Sequence, residues 1–309
     1  MSVPILRLEL AVTERCNAKC RHCNFPTSPV GADMSAADAV RWVEEAAQFD
    51  SLRYLLIFGG EPMLNPTVTL AAIKAGKRCG IPSLDIITNG FWAANDEQAH
   101  SWARQLRAAG LDRVIFSVDI FHAEFVPVDN LKRAAQAALS AGMSKVIWNV
   151  SVFRRGEPVL PEDIRTWEIV KELREISQDI NENEIIIAGR ALENYGHLFP
   201  RKPGIPRDPC PGPTYATDIA HPTVLTLYPN GNIWVCWNLV AGNAKHSSLA
   251  DFIRNYDANQ NEIIRTLITA GPAGLLELPI AKGFKPKDVY INVCGLCQDL
   301  MLYFKRRDP

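Results

Sequence analysis

The sequence predicts an α/β protein in which parallel strands and crossover helices form a partial (β/α)6 TIM-like barrel, followed by a small C-terminal unit of a β-hairpin plus helices. Three observations carry that prediction. Short apolar or β-branched runs alternate with Ala-, Glu- and Leu-rich stretches of helical length through the first two thirds of the chain, the pattern of parallel strands joined by right-handed crossovers. Glycines stand where the helices should stop. A proline-rich break near residue 200 then precedes an Asn-Gly turn between two apolar runs, which is a strong hairpin signal.

In chain order, the predicted strands are 6–12, 54–58, 84–88, 113–118, 145–152 and 184–188. The helices between them are 35–48, 66–79, 96–109, 130–141 and 161–177. Gly80, Gly110 and Gly142 end three of these, and Pro161 suits a first helical turn. From Pro200 to Pro213 the chain is too rich in proline for a helix or a central strand, which divides it into a barrel at 1–200 and a second unit at 201–309. That unit opens with hairpin strands 223–228 and 233–237, continues through helices near 248–255 and 260–269, and closes on a Cys-x-x-Cys.

Bulk properties exclude several classes. Apolar residues make up 47% of the 309 and charged residues 22%, a composition that can bury a core and is far from that of disordered chains. Lys plus Arg total 33 against 34 Asp plus Glu, so charge gives no pull toward nucleic acid or an anionic membrane. No segment reaches spanning length. A cytoplasmic protein with neither a nucleic-acid nor a membrane partner is therefore expected. In a reducing compartment its eight cysteines are metal ligands or reactive thiols sooner than disulfides.

Cys16, Cys20 and Cys23 fall on one short loop just after the first predicted strand. Three thiolates so placed can hold three irons of a 4Fe–4S cube and leave the fourth without a protein ligand. Zinc is the rival, although a structural zinc site wants four ligands. Gly59-Gly60-Glu61-Pro62 follows the second strand, Thr88-Asn89-Gly90 the third, and Ser117-Val118-Asp119 ends the fourth. Each alone would pass as an ordinary turn. Together they gather at strand C-terminal ends, where barrel active sites are assembled.

On these residues the sequence resembles the radical S-adenosylmethionine (SAM) superfamily. Cys16-x3-Cys20-x2-Cys23 matches its signature and Gly59–Pro62 its GGE motif, and the order agrees over about the first 190 residues. His22 stands where the family usually has an aromatic residue. The resemblance implies a 4Fe–4S cluster whose open iron is chelated by SAM. An electron from an external low-potential donor then cleaves SAM, and the resulting 5′-deoxyadenosyl radical abstracts a hydrogen atom from substrate. Gly59, Gly60, Glu61 and Pro62 are then expected at the methionine amine. Ser117 and Asp119 would face the ribose, with Asn89 also among the SAM contacts, and Asn149, Arg154 or Arg190 would meet the methionine carboxylate. His122 is a substrate-side candidate.

Cys210, Cys236, Cys294 and Cys297 lie beyond the break. Taken alone, four thiolates could ligate a second 4Fe–4S cluster or one tetrahedral zinc. Their arrangement around the hairpin resembles the twitch auxiliary domain of radical SAM enzymes, related to SPASM, which implies a second auxiliary 4Fe–4S cluster. Cys79, at a helix end, reads as a small packing residue. A fully ligated auxiliary cluster suits electron relay, hence net oxidation of the substrate, and the overall layout implies that this substrate is a peptide. The layout is also similar to radical SAM peptide epimerases, but Trp237 follows Cys236 and no spare thiol is evident to return a hydrogen atom. The alternatives are dehydrogenation of a small polar metabolite of aminocyclitol type, peptide epimerisation, and a non-catalytic iron–sulfur electron carrier or zinc protein.

Overall fold

The computed structural model describes residues 3–25, 27–156, 158, 160–210, 218–237 and 239–306. Pro211–Pro213 of the predicted break lie outside them. Six strands, β1 (Arg7–Ala11), β2 (Tyr54–Phe58), β3 (Ser83–Thr88), β4 (Arg113–Val118), β5 (Lys145–Val152) and β6 (Ile180–Glu184), pair in parallel in that order. Their crossovers contain α1 (Ala36–Ala46), α2 (Pro66–Arg78), α3 (Asp96–Ala109), a short α4 (Ile120–Ala123) with α5 (Val128–Ser140), and α6 (Pro161–Leu173). This is the predicted partial barrel. Among the described residues the sheet stays open, with β6 at one edge.

Strand alternation explains the packing. Leu8, Leu10, Leu55, Ile57, Leu84, Ile86, Val114, Phe116, Val146 and Trp148 are fully or almost fully buried in the main core, which they share with the helices. Each such large side chain contributes about 1.5–3 kcal/mol by leaving water. Residues of the opposite parity, such as Phe58, Ile87, Ser117 and Asn149, face the concave side and line a cavity at the strand ends. Period-two patterning thus separates a core face from a site face in the central strands β2 to β5.

After α7 (Arg190–Tyr195) and the two-residue β7 (Lys202–Pro203), the hairpin β8 (Val224–Leu227) and β9 (Asn232–Cys236) joins the same sheet. β8 pairs in parallel with β1, and β10 (Leu239–Asn243) adds a third antiparallel strand. Helices α8 (Leu249–Asn255) and α9 (Glu262–Gly274), the short β11 (Val289–Tyr290) and α10 (Val293–Lys305) complete the chain. The extension is tied to the barrel through α1. Trp42 Nε1 donates to the Ala244 carbonyl at 3.4 Å, and the Glu45 carboxylate accepts from Leu249 N at the start of α8. No helix among the described residues is long and apolar enough to cross a membrane.

Two predicted elements moved. The sixth strand is Ile-Asn-Glu-Asn-Glu at 180–184 rather than the apolar run at 184–188. An edge strand beside a polar cavity need not be apolar: Asn181 and Asn183 both donate to Asn149 Oδ1 at 2.8 Å. Ile185, just beyond, sinks instead into a second small core with Ala18, Cys20, Phe121, Phe153 and Tyr195. The helix predicted to end at 269 runs on past a break at Gly271 (φ 64°). The closing Cys-x-x-Cys, expected simply to end the chain's second unit, lies in the first turns of α10, capped by the Asn292 side chain.

Candidate active site

The loop after β1 carries Cys16, Cys20 and Cys23, and all three line a cavity of about 250 Å³ at the C-terminal ends of the strands. Cys20 is 3% exposed and the other two are half-buried. Burial pushes the Cys16 thiol up to about 11 and raises that of Cys23. Such thiols stay protonated alone and ionise on binding a metal. The donor set therefore fits an iron–sulfur cluster: three soft ligands on one side of a cavity, with room on the other.

Two pins hold this loop. Arg190 at the start of α7 donates Nε to the Cys20 carbonyl and Nη2 to Thr27 Oγ1, each at 3.0 Å, while its own backbone N–H reaches the Cys23 carbonyl at 3.1 Å. Although Arg190 lines the cavity, its guanidinium serves the cysteine loop, a role that sequence reasoning missed. On the other side, Asn89 Nδ2 donates to Asn17 Oδ1 at 2.9 Å.

The segment after β2 lies directly against the loop. Gly60 N donates to the Thr13 carbonyl at 2.7 Å and Glu61 N to the Arg15 carbonyl at 2.8 Å. Gly59 has φ 143°, and a Cβ on it would sit 2.3 Å from the Thr13 oxygen; one on Gly60 would sit 2.1 Å from the Arg15 oxygen. Glycine is needed here because two backbones touch, a requirement that does not depend on any ligand. Glu61, 1% exposed, turns inward. It accepts from Met63 N at 3.1 Å, Thr88 Oγ1 at 2.7 Å and Asn89 N at 2.7 Å, lacing β2 to β3. Burial pushes its carboxyl up to about 7 against these donated hydrogen bonds. Pro62 starts the following short 3₁₀ turn and does not line the cavity.

Ser117 and Asn149 line the cavity as expected, but Asp119 and Arg154 do not. Arg154 is exposed in the turn after β5. Asp119 is 1% exposed and caps α4, accepting from His122 N at 2.8 Å. Both its carboxylate oxygens lie against His122 Nδ1, at 2.9 and 2.8 Å, and His22 Nε2 stands 3.7 Å away. Burial opposes ionisation of Asp119, but the two histidines outweigh it and hold the carboxyl at about 2. Burial lowers His22 to about 4. His122 goes the other way: burial resists its charge, but Asp119 and Cys20 beside it raise it well above the ordinary histidine value. The cavity also takes Ser151, Asn183 and Glu184. The last two were missed because the sixth strand was placed four residues late.

The second group of cysteines also converges. Cys210, Cys236 at the end of β9, and Cys294 and Cys297 on α10 line one narrow cavity of about 20 Å³ with Ile219, Leu239 and Leu267. Burial, followed by the neighbouring thiols, raises Cys297 far above the usual thiol range. Cys79 lies apart, at the end of α2.

An open parallel barrel with three thiols on its first crossover loop and a glycine edge on its second defines an enzyme class that works through an iron–sulfur cluster and SAM. The chain belongs to the radical SAM superfamily, whose profile matches residues 10–165. It is 30% identical over 169 residues to a GTP 3′,8-cyclase of Acidothermus cellulolyticus, covering 50% of this chain and 44% of that protein. It is 25% identical over 129 residues to the putative peptide biosynthesis protein YydG of Bacillus subtilis, covering 40% and 39%. The matched segment thus spans less than half the length of either relative. In fold, it is similar to native anSMEcpe with bound AdoMet (TM-score 0.56, 12% identity, 98% and 97% covered) and to BtrN in complex with AdoMet and 2-DOIA (0.52, 12%, 88% and 91%). The family's 4Fe–4S cluster and SAM are this chain's cofactors.

Proposed function

We propose that this chain oxidatively modifies a peptide, holding its catalytic cluster on Cys16, Cys20 and Cys23 and an auxiliary cluster on Cys210, Cys236, Cys294 and Cys297. The catalytic cluster, when bound, supplies the electron that splits SAM into methionine and a 5′-deoxyadenosyl radical able to take a hydrogen atom from substrate. The chain's residues do the rest. Gly59, Gly60 and Glu61 form one part of the SAM site's lining, continued along the strand ends by Asn89, Ser117 and Asn149. Arg190 keeps the cysteine loop in place, and the apolar floor around Phe121 and Tyr195 excludes water from beneath it. Residues 201–309 act as a twitch-like auxiliary unit, and an external low-potential carrier provides electrons.

The observation that carries this reading is the convergence of three thiols and the glycine edge on a single cavity at the strand ends. Support for a peptide comes from the likeness to YydG. The likeness to GTP 3′,8-cyclases favours the rival, a small polar metabolite. Anaerobic reconstitution with iron and sulfide, followed by SAM and a strong reductant, should yield 5′-deoxyadenosine; none from protein with an intact first cluster would overturn the reading. Deuterium transfer into that product from a labelled short peptide, and none from labelled metabolites, distinguishes the substrates.

A second reading of the auxiliary site rests on its size. About 20 Å³ between the four cysteines suits a single tetrahedral zinc better than a cube. A Cys16/Cys20/Cys23→Ala variant that still binds iron and sulfide supports the cluster. Zinc alone in that variant supports the second reading.

A further inference from the structure

His122 lines the cavity, which would suit a group meeting substrate, yet its bonds point elsewhere. Nδ1 is committed to Asp119, whose position is fixed by capping α4 and by near-complete burial. One nitrogen each of His22 and His122 lies within 4.8 Å of the Cys20 sulfur and of the other. With Nδ1 occupied, the nitrogen left for Cys20 is Nε2. His22, whose ring centroid is 5.1 Å away, and Phe121, tilted against His22 with ring centroids 4.6 Å apart, close the other sides.

We propose that His122 is a positioning residue of the catalytic cluster: held by Asp119, it donates Nε2–H to the Cys20 sulfur and thereby sets the cluster's reduction potential. This rests on the reading that Cys20 is a cluster ligand. The chemistry follows from the partners. An ionised carboxylate and an iron-bound thiolate are both pure acceptors, so a ring between them offers a proton to each. Reduction adds negative charge to the cluster's sulfurs, and an N–H aimed at one of them stabilises the reduced form more than the oxidised. A carboxylate behind a histidine is the usual means of fixing such a ring at a metal site.

The test is a redox titration of reconstituted holoenzyme, following the EPR signal that responds to SAM and so comes from the cluster with an open iron. His122→Phe should shift its midpoint to more negative potential. His122→Gln, which keeps a side-chain N–H, should shift it less. An unchanged midpoint in His122→Phe, with product formation lost, would make His122 a substrate group and overturn the proposal. Should that variant fail to hold the cluster, a smaller negative shift in His122→Gln supports the proposal and an unchanged midpoint there, with product formation lost, overturns it. The wild type decides without any variant: with 15N-labelled histidine, ENDOR on the SAM-responsive signal should reveal coupling to a histidine nitrogen, and its absence would overturn the proposal. A wild type with no SAM-responsive signal would instead refute the reading of Cys20 as a ligand.

Discussion

Cys16, Cys20 and Cys23 come from one short loop, whereas Cys210, Cys236, Cys294 and Cys297 come from a loop, a strand and a helix far apart in sequence. The first group opens on a polar cavity of about 250 Å³ and is steadied by Arg190, Glu61 and Asn89; the second encloses about 20 Å³ between apolar side chains. A local loop with external pins can present its ligands before metal arrives and leave one side free for a small molecule. A site assembled from distant elements exists only when those elements are folded together, so metal binding there becomes part of folding itself. One site is arranged for exchange with its surroundings, the other for closure.

Breaking the second site should therefore cost the most stability. Cys297→Ser should abolish metal at the second site and lower the thermal midpoint by several degrees, corresponding to roughly 2–5 kcal/mol. Uncoupled SAM cleavage at the first site should persist; calorimetry and metal analysis read both effects. A variant that loses cleavage but keeps its stability would erase the contrast between the sites.

Gly60→Ala probes the loop's contact with the glycine edge. A Cβ 2.1 Å from a backbone oxygen forces the two segments apart, costing about 2–4 kcal/mol and weakening SAM binding in equilibrium dialysis. Glu61 gives a pH signature. Its folded pKa lies near 7, above the unfolded 4.5, so the protonated form favours the fold. That stability is complete below pH ~4.5 and is lost as pH rises through about 7, by at most about 3 kcal/mol. Denaturant titrations across that window should lose this slope in Glu61→Gln. The smallest effect is expected from Arg190→Lys, which can keep only one of the two guanidinium contacts. A loss of about 1.5–3 kcal/mol should be seen as faster loss of iron from the first site, with the second unaffected.

The same contrast explains what the sequence reveals. The cysteine loop, the glycine edge and the first five strands are written in local patterns, and all reappear where expected. The auxiliary cysteines are legible as a group because the Asn-Gly turn marks the hairpin that carries Cys236. The helix under Cys294 and Cys297, and the parallel bond between β8 and β1, depend on partners elsewhere in the chain. The sixth strand was misplaced because Asn181 and Asn183 satisfy each other's surroundings through Asn149, which no hydrophobic period records. Asp119 reads as a sugar-binding carboxylate at a strand end. Only its placement three residues before His122 on a capped helix turns it inward, and that geometry belongs to the tertiary structure.

The most direct test of the open-iron account is Mössbauer spectroscopy of 57Fe-reconstituted protein with and without SAM. The difference spectrum isolates any iron that SAM touches, whatever else is bound. The account predicts that a single iron of the cube on Cys16, Cys20 and Cys23 changes its isomer shift. No responding iron, in protein shown to carry that cube, would contradict it.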